Sequence, residues 1–259
     1  MRELERNTRP VPTTAAPRLS IVGAGRLGRA LGSALRGTQV QVQVRGPLGR
    51  GASLADADVV LLCVPDAEIS AAAALVPPGP MLGHCSGATG LDVLGGRSGF
   101  SLHPLMTVTA DTSPELSGAA AAIAATDPAA LQFARVLAGA LGMRPLLVAD
   151  EDRAAYHAAA SIASNFLVTL EAAAERVAAS AGVARADLVP LVRATVDNWA
   201  ALGAERALTG PVARGDEVTV ARQREAVRDQ APEVLDLFDA LTIATRALVA
   251  PAAPGPVVG

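Results

Sequence analysis

Three glycines near the start of the chain have the spacing of a phosphate-binding turn. They are Gly23, Gly25 and Gly28, within the segment RLSIVGAGRLGRALGSAL. Apolar residues before Gly23 predict a buried strand, and apolar residues at helical spacing after Gly25 predict a helix. A Gly-x-Gly-x-x-Gly between a strand and a helix leaves backbone N–H groups free to bind a pyrophosphate. The spacing therefore predicts a dinucleotide-binding turn; the alternative is a structural turn that binds no ligand.

Each glycine of this turn has a separate expected role. Gly23 permits the tight turn, Gly25 lets a pyrophosphate approach the backbone, and Gly28 lets the helix pack against the strand. We expect the whole turn to contact the cofactor, through Gly23, Ala24, Gly25, Arg26, Leu27 and Gly28.

The second predicted strand carries an arginine where an NAD-binding protein would carry a carboxylate. Residues 39–44 alternate as QVQVQV, and we predict that the strand ends at Arg45, with Arg50 soon after it. No acidic residue lies between Glu5 and Asp56. A carboxylate would repel the 2′-phosphate of NADP, whereas a guanidinium binds it through two hydrogen bonds. The sequence therefore favours NADP (NADPH) over NAD; the alternative is that both arginines are solvated loop charges.

Polar residues follow three further predicted strands. The segments are VPD at 64–66, CSG at 85–87 and HPL at 103–105. Ligands of open parallel sheets bind at the carboxyl ends of the strands, so we expect Val64, Pro65 and Ser86 to contact the cofactor. His103 is expected to contact the cofactor or the substrate. For Asp66 we favour a structural role, as a cap on the following helix.

A long alanine-rich helix carries three polar residues on one face. His157, Ser161 and Asn165 lie four residues apart, a spacing that places side chains on the same side of an α-helix. A histidine can donate a proton near neutral pH, and an asparagine can orient a carbonyl. We expect these three residues to be catalytic; the alternative is that they bind the other domain or a second subunit.

A turn between two later helices carries the arginine best suited to bind a substrate carboxylate. This is Arg214, in the segment ALTGPVARGD at 207–216. A guanidinium can bind a carboxylate through two parallel hydrogen bonds. The alternative is that Arg214 forms an ion pair with Asp216.

The elements that must position these residues change character near residue 150. Before it, strands alternate with helices, which is typical of a doubly wound, largely parallel α/β sheet. The predicted strands are 19–22, 39–44, 59–64, 81–85, 100–103, 119–125 and 146–148. After it we predict only helices, at 152–181, 187–201, 218–228 and 232–248.

This change predicts the domain organisation of the chain. We expect a dinucleotide-binding domain at 18–149 and an all-helical substrate and dimerisation domain at 150–250, between disordered ends at 1–17 and 251–259. The alanine-rich faces of the later helices predict a homodimer, because small residues bury area only where another surface covers them.

Composition excludes several classes of protein. A net charge of −3 gives no general attraction to nucleic acid or to an anionic membrane. No apolar run reaches the roughly 18 residues of a membrane span, and the start of the chain lacks the apolar core of a signal peptide. We expect a cytoplasmic protein without a metal site, with Cys63 and Cys85 as buried, reduced thiols. All 22 basic residues are arginine, so a mechanism that needs a lysine is excluded.

Several motifs together resemble a known family. The glycine turn, CVPD, SLHPL, YHAAASIASNF and LTGPVARGD are similar to those of Rossmann-like proteins with a C-terminal domain of unknown function, DUF2520, over residues 18 to about 248. The architecture is similar to the 6-phosphogluconate dehydrogenase-like group, which includes ketopantoate reductase and pyrroline-5-carboxylate reductase. The resemblance implies a Rossmann domain, a helical domain that often mediates dimerisation, and an NADP-linked redox reaction.

The sequence departs from part of that group. β-Hydroxyacid dehydrogenases and ordinary ketopantoate reductases carry Lys-x-x-x-Asn on the equivalent helix. Here the corresponding pair is His157 with Ser161 or Ser161 with Asn165, and neither contains lysine.

Three functions fit these observations. The first is NADP-dependent reduction of a small oxo acid, with ketopantoate the first choice. In it His157 or His103 protonates the alkoxide, Asn165 and Ser161 position the substrate, and Arg214 binds its carboxylate. The second is the same redox chemistry with an imine or a deazaflavin as acceptor. The third is an NADP-binding regulator or assembly partner without turnover.

Overall fold

The computed structural model describes residues 16–38, 42–49, 51–109 and 114–249. The predicted disordered ends, apart from residues 16 and 17, therefore lie outside the described residues. So do residues 39–41 of the predicted second strand, and Arg50.

Seven strands form one mixed sheet in the described part of the chain. Their bounds are β1 (Arg18–Val22), β2 (Gln43–Leu48), β3 (Val59–Leu62), β4 (Met81–His84), β5 (Gly99–Pro104), β6 (Ala120–Ala125) and β7 (Arg144–Leu147). The order across the sheet is β2-β1-β3-β4-β5-β6-β7. The first five strands are parallel, β6 runs antiparallel to β5, and β7 is parallel to β6.

This sheet is a Rossmann-like α/β fold followed by a helical part, as the sequence predicts. β2 lies on one side of β1 and β3 lies on the other. The direction in which successive strands are added across the sheet therefore reverses at β1. Open α/β sheets have a crevice at such a reversal, outside the carboxyl ends of the strands. The glycine turn after β1 lies at this point.

The central strands are apolar because helices cover both faces of the sheet. All four residues of β3 are buried, as are Leu19 and Ile21 of β1. One apolar cluster includes residues of α1 (Arg26–Arg36) and α3 (Pro128–Ala140), and a second includes residues of α2 (Ile69–Ala74). A strand buried on both faces needs no polar alternation, which explains the unbroken VVLL of β3.

The second strand ends later than the sequence predicts. It continues past Arg45 to Leu48, which lies opposite Val22 and accepts a 2.9 Å hydrogen bond from the Gly23 N–H. A shift in register between Ser20 and Val22 accommodates Gly46 and Pro47 within the strand. Arg45 therefore lies inside the strand, opposite Ser20.

The helices follow the predicted order, with one interruption. After α3 they are α4 (Arg153–Ser161), α5 (Leu167–Ala179), α6 (Arg185–Leu202), α7 (Ala204–Ala207), α8 (Glu217–Gln230) and α9 (Leu235–Val249). The single helix predicted over 152–181 is divided by a π-helical turn, Ile162–Phe166. The short α7 was not predicted.

The chain divides into two compact units, Met1–Ser164 and Asn165–Gly259. We call them the sheet unit and the helical unit. Although the last strand ends at Leu147, the sheet unit also contains α4. Within the described ranges, no helix combines the length and the hydropathy needed to cross a membrane.

Candidate functional site

Backbone atoms pack so closely around the glycine turn that two of its glycines have no space for a side chain. Gly23 has φ +114°, and a Cβ there would lie 2.3 Å from the carbonyl oxygen of Cys63. A Cβ on Gly28 would lie 1.9 Å from the carbonyl oxygen of Gly23. The first glycine thus forms the tight turn, and the third brings α1 against it.

The second glycine faces open space. A Cβ on Gly25 would meet no atom within 4 Å. Gly25 is the N-cap of α1, no side chain caps this helix, and no acidic residue lies in its first turn. Free N–H groups and the positive end of the helix dipole favour an anion here. The turn therefore fits the pyrophosphate of a dinucleotide.

Arginines surround this turn. Arg29 Nη1 donates to the carbonyl oxygen of Ala24, Arg36 Nη1 donates to that of Gly46 at 2.6 Å, and Arg45 Nη1 donates to that of Ser53 at 3.2 Å. Arg26, the first residue of α1, is exposed. The described residues between 16 and 55 include no carboxylate side chain. The charged side chains of this segment are therefore all positive, which favours phosphate groups.

At the end of β3, Asp66 bonds to the neighbouring loop and does not cap a helix. Its Oδ2 accepts a 2.7 Å hydrogen bond from Ser86 Oγ, while Pro65 is the N-cap of the 3-10 turn at Asp66–Glu68. The predicted capping role of Asp66 is therefore wrong. Val64 is half-buried and Pro65 exposed at the same strand end.

The loop after β4 is held together by the hydroxyl of Ser86. Besides its bond to Asp66, Ser86 Oγ accepts from the backbone N–H groups of Thr89 at 2.9 Å and Ala88 at 3.2 Å. Thr89 Oγ1 lies 2.9 Å from it. Ser86 is buried, so its hydroxyl fixes the shape of the loop.

His84, at the end of β4, is a neutral and buried part of the same loop. Its Nδ1 accepts a 3.2 Å hydrogen bond from the N–H of Ser86, and its Nε2 lies 3.2 Å from the carbonyl oxygen of Gly90. With Nδ1 accepting, Nε2 carries the proton. Burial, with the positive charge of Arg153, lowers the pKa of His84 to about 4.

Arg153 joins α4 to the loop after β4 and to strand β5. Its side chain is 3% exposed, and Nε donates to Asp150 Oδ1 at 2.6 Å. Nη2 donates to Ser101 Oγ on β5, and Nη1 lies 3.5 Å from the carbonyl oxygen of Ser86. A buried guanidinium with these partners fixes the start of α4 against the sheet.

One turn further along α4, Tyr156 forms a hydrogen bond with His103. The Oη and Nδ1 atoms lie 2.7 Å apart, and the two rings meet edge to face. A Cβ on Gly87 would lie 2.9 Å from the imidazole of His103, so the ring packs on the glycine of the β4 loop. This pair lies at the carboxyl ends of the parallel strands.

Both members of the pair are neutral at pH 7. Burial lowers the pKa of His103 to about 4, and the nearby side chains of His157 and Arg153 act in the same direction. Burial also raises the pKa of Tyr156. A neutral phenol beside a neutral imidazole can give up one proton while its oxygen accepts a hydrogen bond from the ring.

Three of the residues predicted to be catalytic, His103, His157 and Ser161, belong to the sheet unit. The ring of His157 lies 6.1 Å from that of His103, and Ser161 is half-buried one turn later on α4. Asn165 begins the helical unit, and Arg214 also belongs to that unit.

Arg214 is exposed on its loop. Asp216 uses its carboxylate to accept a 3.1 Å hydrogen bond from the N–H of Thr219, which caps α8. Hydrogen bonds from Thr219 lower the pKa of Asp216, and the positive charge of Arg214 acts in the same direction. The pairing of Arg214 with Asp216 therefore stays an alternative to substrate binding.

Three residues of this cluster were missed from the sequence. Tyr156, His84 and Arg153 form contacts that link positions far apart in the chain, which no local pattern encodes. One signal was available for Tyr156: it is the only tyrosine of the chain and directly precedes a predicted catalytic histidine. Among the described residues, no group of three or more His, Cys, Asp or Glu side chains could hold a metal ion.

Comparison with known proteins supports the fold and part of the predicted resemblance. The model of a domain of unknown function, DUF2520, matches residues 119–245. This match confirms the DUF2520 part of the resemblance and extends from the strands at the end of the sheet into α9. No curated protein matches the chain.

Solved structures match over nearly the whole chain. One is a provisionally assigned NADP oxidoreductase, BF3122 from Bacteroides fragilis, with 19% identity, a TM-score of 0.74 and coverage of 90% of this chain and 99% of that chain. Another is protein TM1727 from Thermotoga maritima, with 25% identity, a TM-score of 0.71 and coverage of 89% and 98%.

A third structure is a pyrroline carboxylate reductase from Plasmodium falciparum with NADP bound. It has 11% identity, a TM-score of 0.58 and coverage of 91% of this chain and 99% of that chain. These likenesses show that the chain shares the fold of NADP-binding reductases.

Proposed function

We propose that this protein is an NADP(H)-dependent reductase of a small molecule with a C=O or C=N bond. The observation that carries the proposal is the 2.7 Å hydrogen bond between Tyr156 and His103 at the carboxyl end of a sheet whose first turn fits a pyrophosphate. An oxo acid is the first substrate class, with ketopantoate its first member.

The residues proposed to hold the cofactor lie at the strand ends, apart from Arg45, which lies within β2. The free N–H groups of the glycine turn bind the pyrophosphate, and Arg45 binds the 2′-phosphate. Val64, Pro65 and the Ser86 loop contact the remainder of the dinucleotide. When bound, NADPH supplies a hydride.

Tyr156 is proposed to supply the proton. In the neutral tautomer that carries its hydrogen on Nδ1, His103 donates a hydrogen bond to the phenol oxygen of Tyr156. The phenol hydrogen is then free to pass to a developing alkoxide or amide anion. The same N–H then stabilises the tyrosinate. Burial keeps Tyr156 protonated until that step because it raises the pKa of the phenol. His157, beside His103, is the alternative donor.

Residues of the later helices are proposed to recognise the substrate. Arg214 binds a carboxylate, and Ser161 and Asn165 orient the carbonyl. These roles predict that Arg214→Ala raises KM for an oxo acid and leaves the Kd for NADPH unchanged.

An imine is the second substrate class. Its support is the likeness in fold to a pyrroline carboxylate reductase, a protein whose name indicates a cyclic imine substrate. A protein that binds NADPH without turnover is the remaining possibility.

The test is a titration followed by a turnover assay. Binding of NADPH and NADH is measured by fluorescence, and oxidation of NADPH is then followed with a panel of oxo acids, cyclic imines and a deazaflavin. We expect NADPH to bind more tightly than NADH and to be consumed with one of the first two classes. Binding without consumption would favour the regulator; no binding would overturn the proposal.

A further inference from the structure

The two cysteines of the chain meet below the glycine turn. Cys63 directly follows β3 and Cys85 directly follows β4, and these strands are parallel neighbours in which Leu62 lies opposite His84. Both side chains are free thiols, and their Sγ atoms lie 3.6 Å apart. Since the sequence contains two cysteines, these are the partners for any disulfide within one chain.

Cys63 is also the surface on which the glycine turn rests. A Cβ on Gly23 would lie 2.3 Å from the carbonyl oxygen of Cys63, and a Cβ on Gly28 would lie 3.3 Å from the Cβ of Cys63. Closely packed atoms transmit small shifts because no space is left to absorb them. A displacement of Cys63 therefore reaches the turn and the start of α1.

The two thiols differ in their access to solvent. Cys63 is half-buried, whereas Cys85 is buried in the apolar cluster beneath α1. The hydrogen bond with Cys63 and burial raise the pKa of Cys85. An oxidant from solution therefore meets Cys63 first, and Cys85 is placed to act second.

We propose that Cys63 and Cys85 form a reversible disulfide that weakens dinucleotide binding at the turn above them. The oxidant is a peroxide. The Cys63 sulfur attacks one peroxide oxygen, the O–O bond breaks, and Cys63 becomes a sulfenic acid as one water leaves. The Cys85 sulfur then attacks the Cys63 sulfur, the S–O bond breaks, and the hydroxyl leaves with the Cys85 thiol proton as a second water; the first water has already taken the proton of Cys63. Two thiols and one hydrogen peroxide give one disulfide and two waters.

The fold permits this bond with a limited movement. Neighbouring strands lie about 4.8 Å apart, within the Cα separation that disulfides accept, and the sulfur atoms must approach from 3.6 Å to about 2.05 Å. That approach moves Cys63 relative to Gly23 and Gly28. A dithiol reductant reverses the bond by exchange, so the disulfide is transient in a reducing compartment.

The experiment treats the intact protein with hydrogen peroxide and measures two things. Thiol titration and peptide mass mapping without reduction should show a peptide pair joined through Cys63 and Cys85. Fluorescence titration should show NADPH binding weakened by about fivefold, the effect of losing one hydrogen bond to the ligand. Both changes should reverse with dithiothreitol.

Matched variants identify the cause of any change. In Cys85→Ala, peroxide can still oxidise Cys63 but no disulfide can form, so NADPH affinity should not show the reversible change. Cys63→Ala should leave Cys85 unoxidised under the same treatment. The mapping of the parent protein remains decisive if either variant fails to fold.

The possible outcomes are distinct. Two free thiols, or a sulfinic acid at Cys63 without a cross-link, would overturn the disulfide. A mapped disulfide with unchanged NADPH affinity would overturn the coupling to the turn. The coupling rests on the proposed function, so a protein that binds no NADPH before oxidation would contradict that function, while the mapping would still test the disulfide.

Discussion

The sheet unit and the helical unit bury their apolar residues very differently. The largest fully buried side chains, including Phe100, Ile21 and Leu137, all belong to the sheet unit. In the helical unit, α5 and α6 contain no buried residue, and the buried apolar cluster consists of Val227, Ala231 and Val234 with a few partly buried neighbours.

The exposed side chains show the same difference. Trp199 on α6 is 59% exposed and Ile243 on α9 is 66% exposed. Exposed apolar side chains of this size are typical of surfaces that another protein surface covers. The sheet unit thus has a complete core that can hold reacting groups rigidly. The helical unit has apolar faces suited to association.

The largest expected effect tests the rigid half of this comparison. Tyr156→Phe keeps the ring against His103 but removes the hydroxyl, so kcat should fall by about 10²–10⁴-fold, the range for loss of a general acid. NADPH affinity should barely change. Steady-state kinetics and a fluorescence titration measure the two quantities.

His157→Ala is the matched comparison for Tyr156→Phe. If His157 is the donor, this variant shows the fall of about 10²–10⁴-fold in kcat and Tyr156→Phe does not. Parental turnover in both variants, and in His103→Ala, would contradict acid catalysis by this cluster.

A second prediction concerns the stability of the sheet unit in acid. The pKa values of His84 and His103 are about 4 in the folded protein against an ordinary value of 6.5. The unfolded chain therefore binds more protons between these values, so the free energy of unfolding should fall as the pH drops from 6.5 to 4. The expected loss is about 3 kcal/mol for each histidine. Urea titrations at several pH values measure it.

His84→Gln separates the contribution of one histidine. Its free energy of unfolding should change less between pH 6.5 and 4 than that of the parent, whatever its absolute stability. Carboxylates with a lowered pKa, such as Asp58 beside Arg18, also begin to lose stabilisation below about pH 5. They are the same in the parent and in His84→Gln, so the difference between the two slopes reports on His84. An unchanged slope would contradict the assignment of His84 as a buried neutral group.

A third prediction tests the associating half of the comparison. We expect a homodimer through the helical unit, and Trp199→Ala should weaken it by about 2 kcal/mol, as for a buried aromatic side chain at an interface. Sedimentation across a range of concentrations measures the dissociation constant. Leu75→Ala is the control, because Leu75 is 74% exposed and directly follows α2 in the sheet unit. A monomeric parent at micromolar concentration would remove this prediction.

The smallest expected effect concerns the choice of cofactor. Arg45→Ala should weaken NADPH binding by about 1–3 kcal/mol, because a charge-assisted contact is lost, and leave NADH binding nearly unchanged. β2 continues to Leu48, so Arg50 lies closer in sequence to the end of the strand than Arg45 does. The variant Arg50→Ala is therefore measured in parallel with Arg45→Ala. If only Arg50→Ala loses the preference for NADPH over NADH, Arg50 and not Arg45 binds the 2′-phosphate. Equal affinities of the parent protein for NADPH and NADH would contradict the preference for NADPH.

The sequence by itself determined the order of the elements and the geometry of the first turn. Buried parallel strands require continuous apolar runs, as in VVLL of β3, and the turn requires glycine at Gly23 and Gly28 because no Cβ fits there. Both requirements act on neighbouring residues, so a local pattern records them. The end of β2 was predicted three residues early for the same reason. The alternation of residues 39–44 is a local pattern that stops before Arg45, whereas the pairing of Leu48 with Val22 depends on the neighbouring strand.

Only the tertiary structure decided which polar groups meet. His103 and Tyr156 are separated by 53 positions, and Ser86 and Asp66 by 20. The position of Asp66 in the sequence is that of a helix cap. In the structure its carboxylate instead accepts a hydrogen bond from the hydroxyl of Ser86 in the loop after β4. Such partners depend on how strands and helices pack together, and a hydrogen bond between distant segments leaves no periodic trace in the chain.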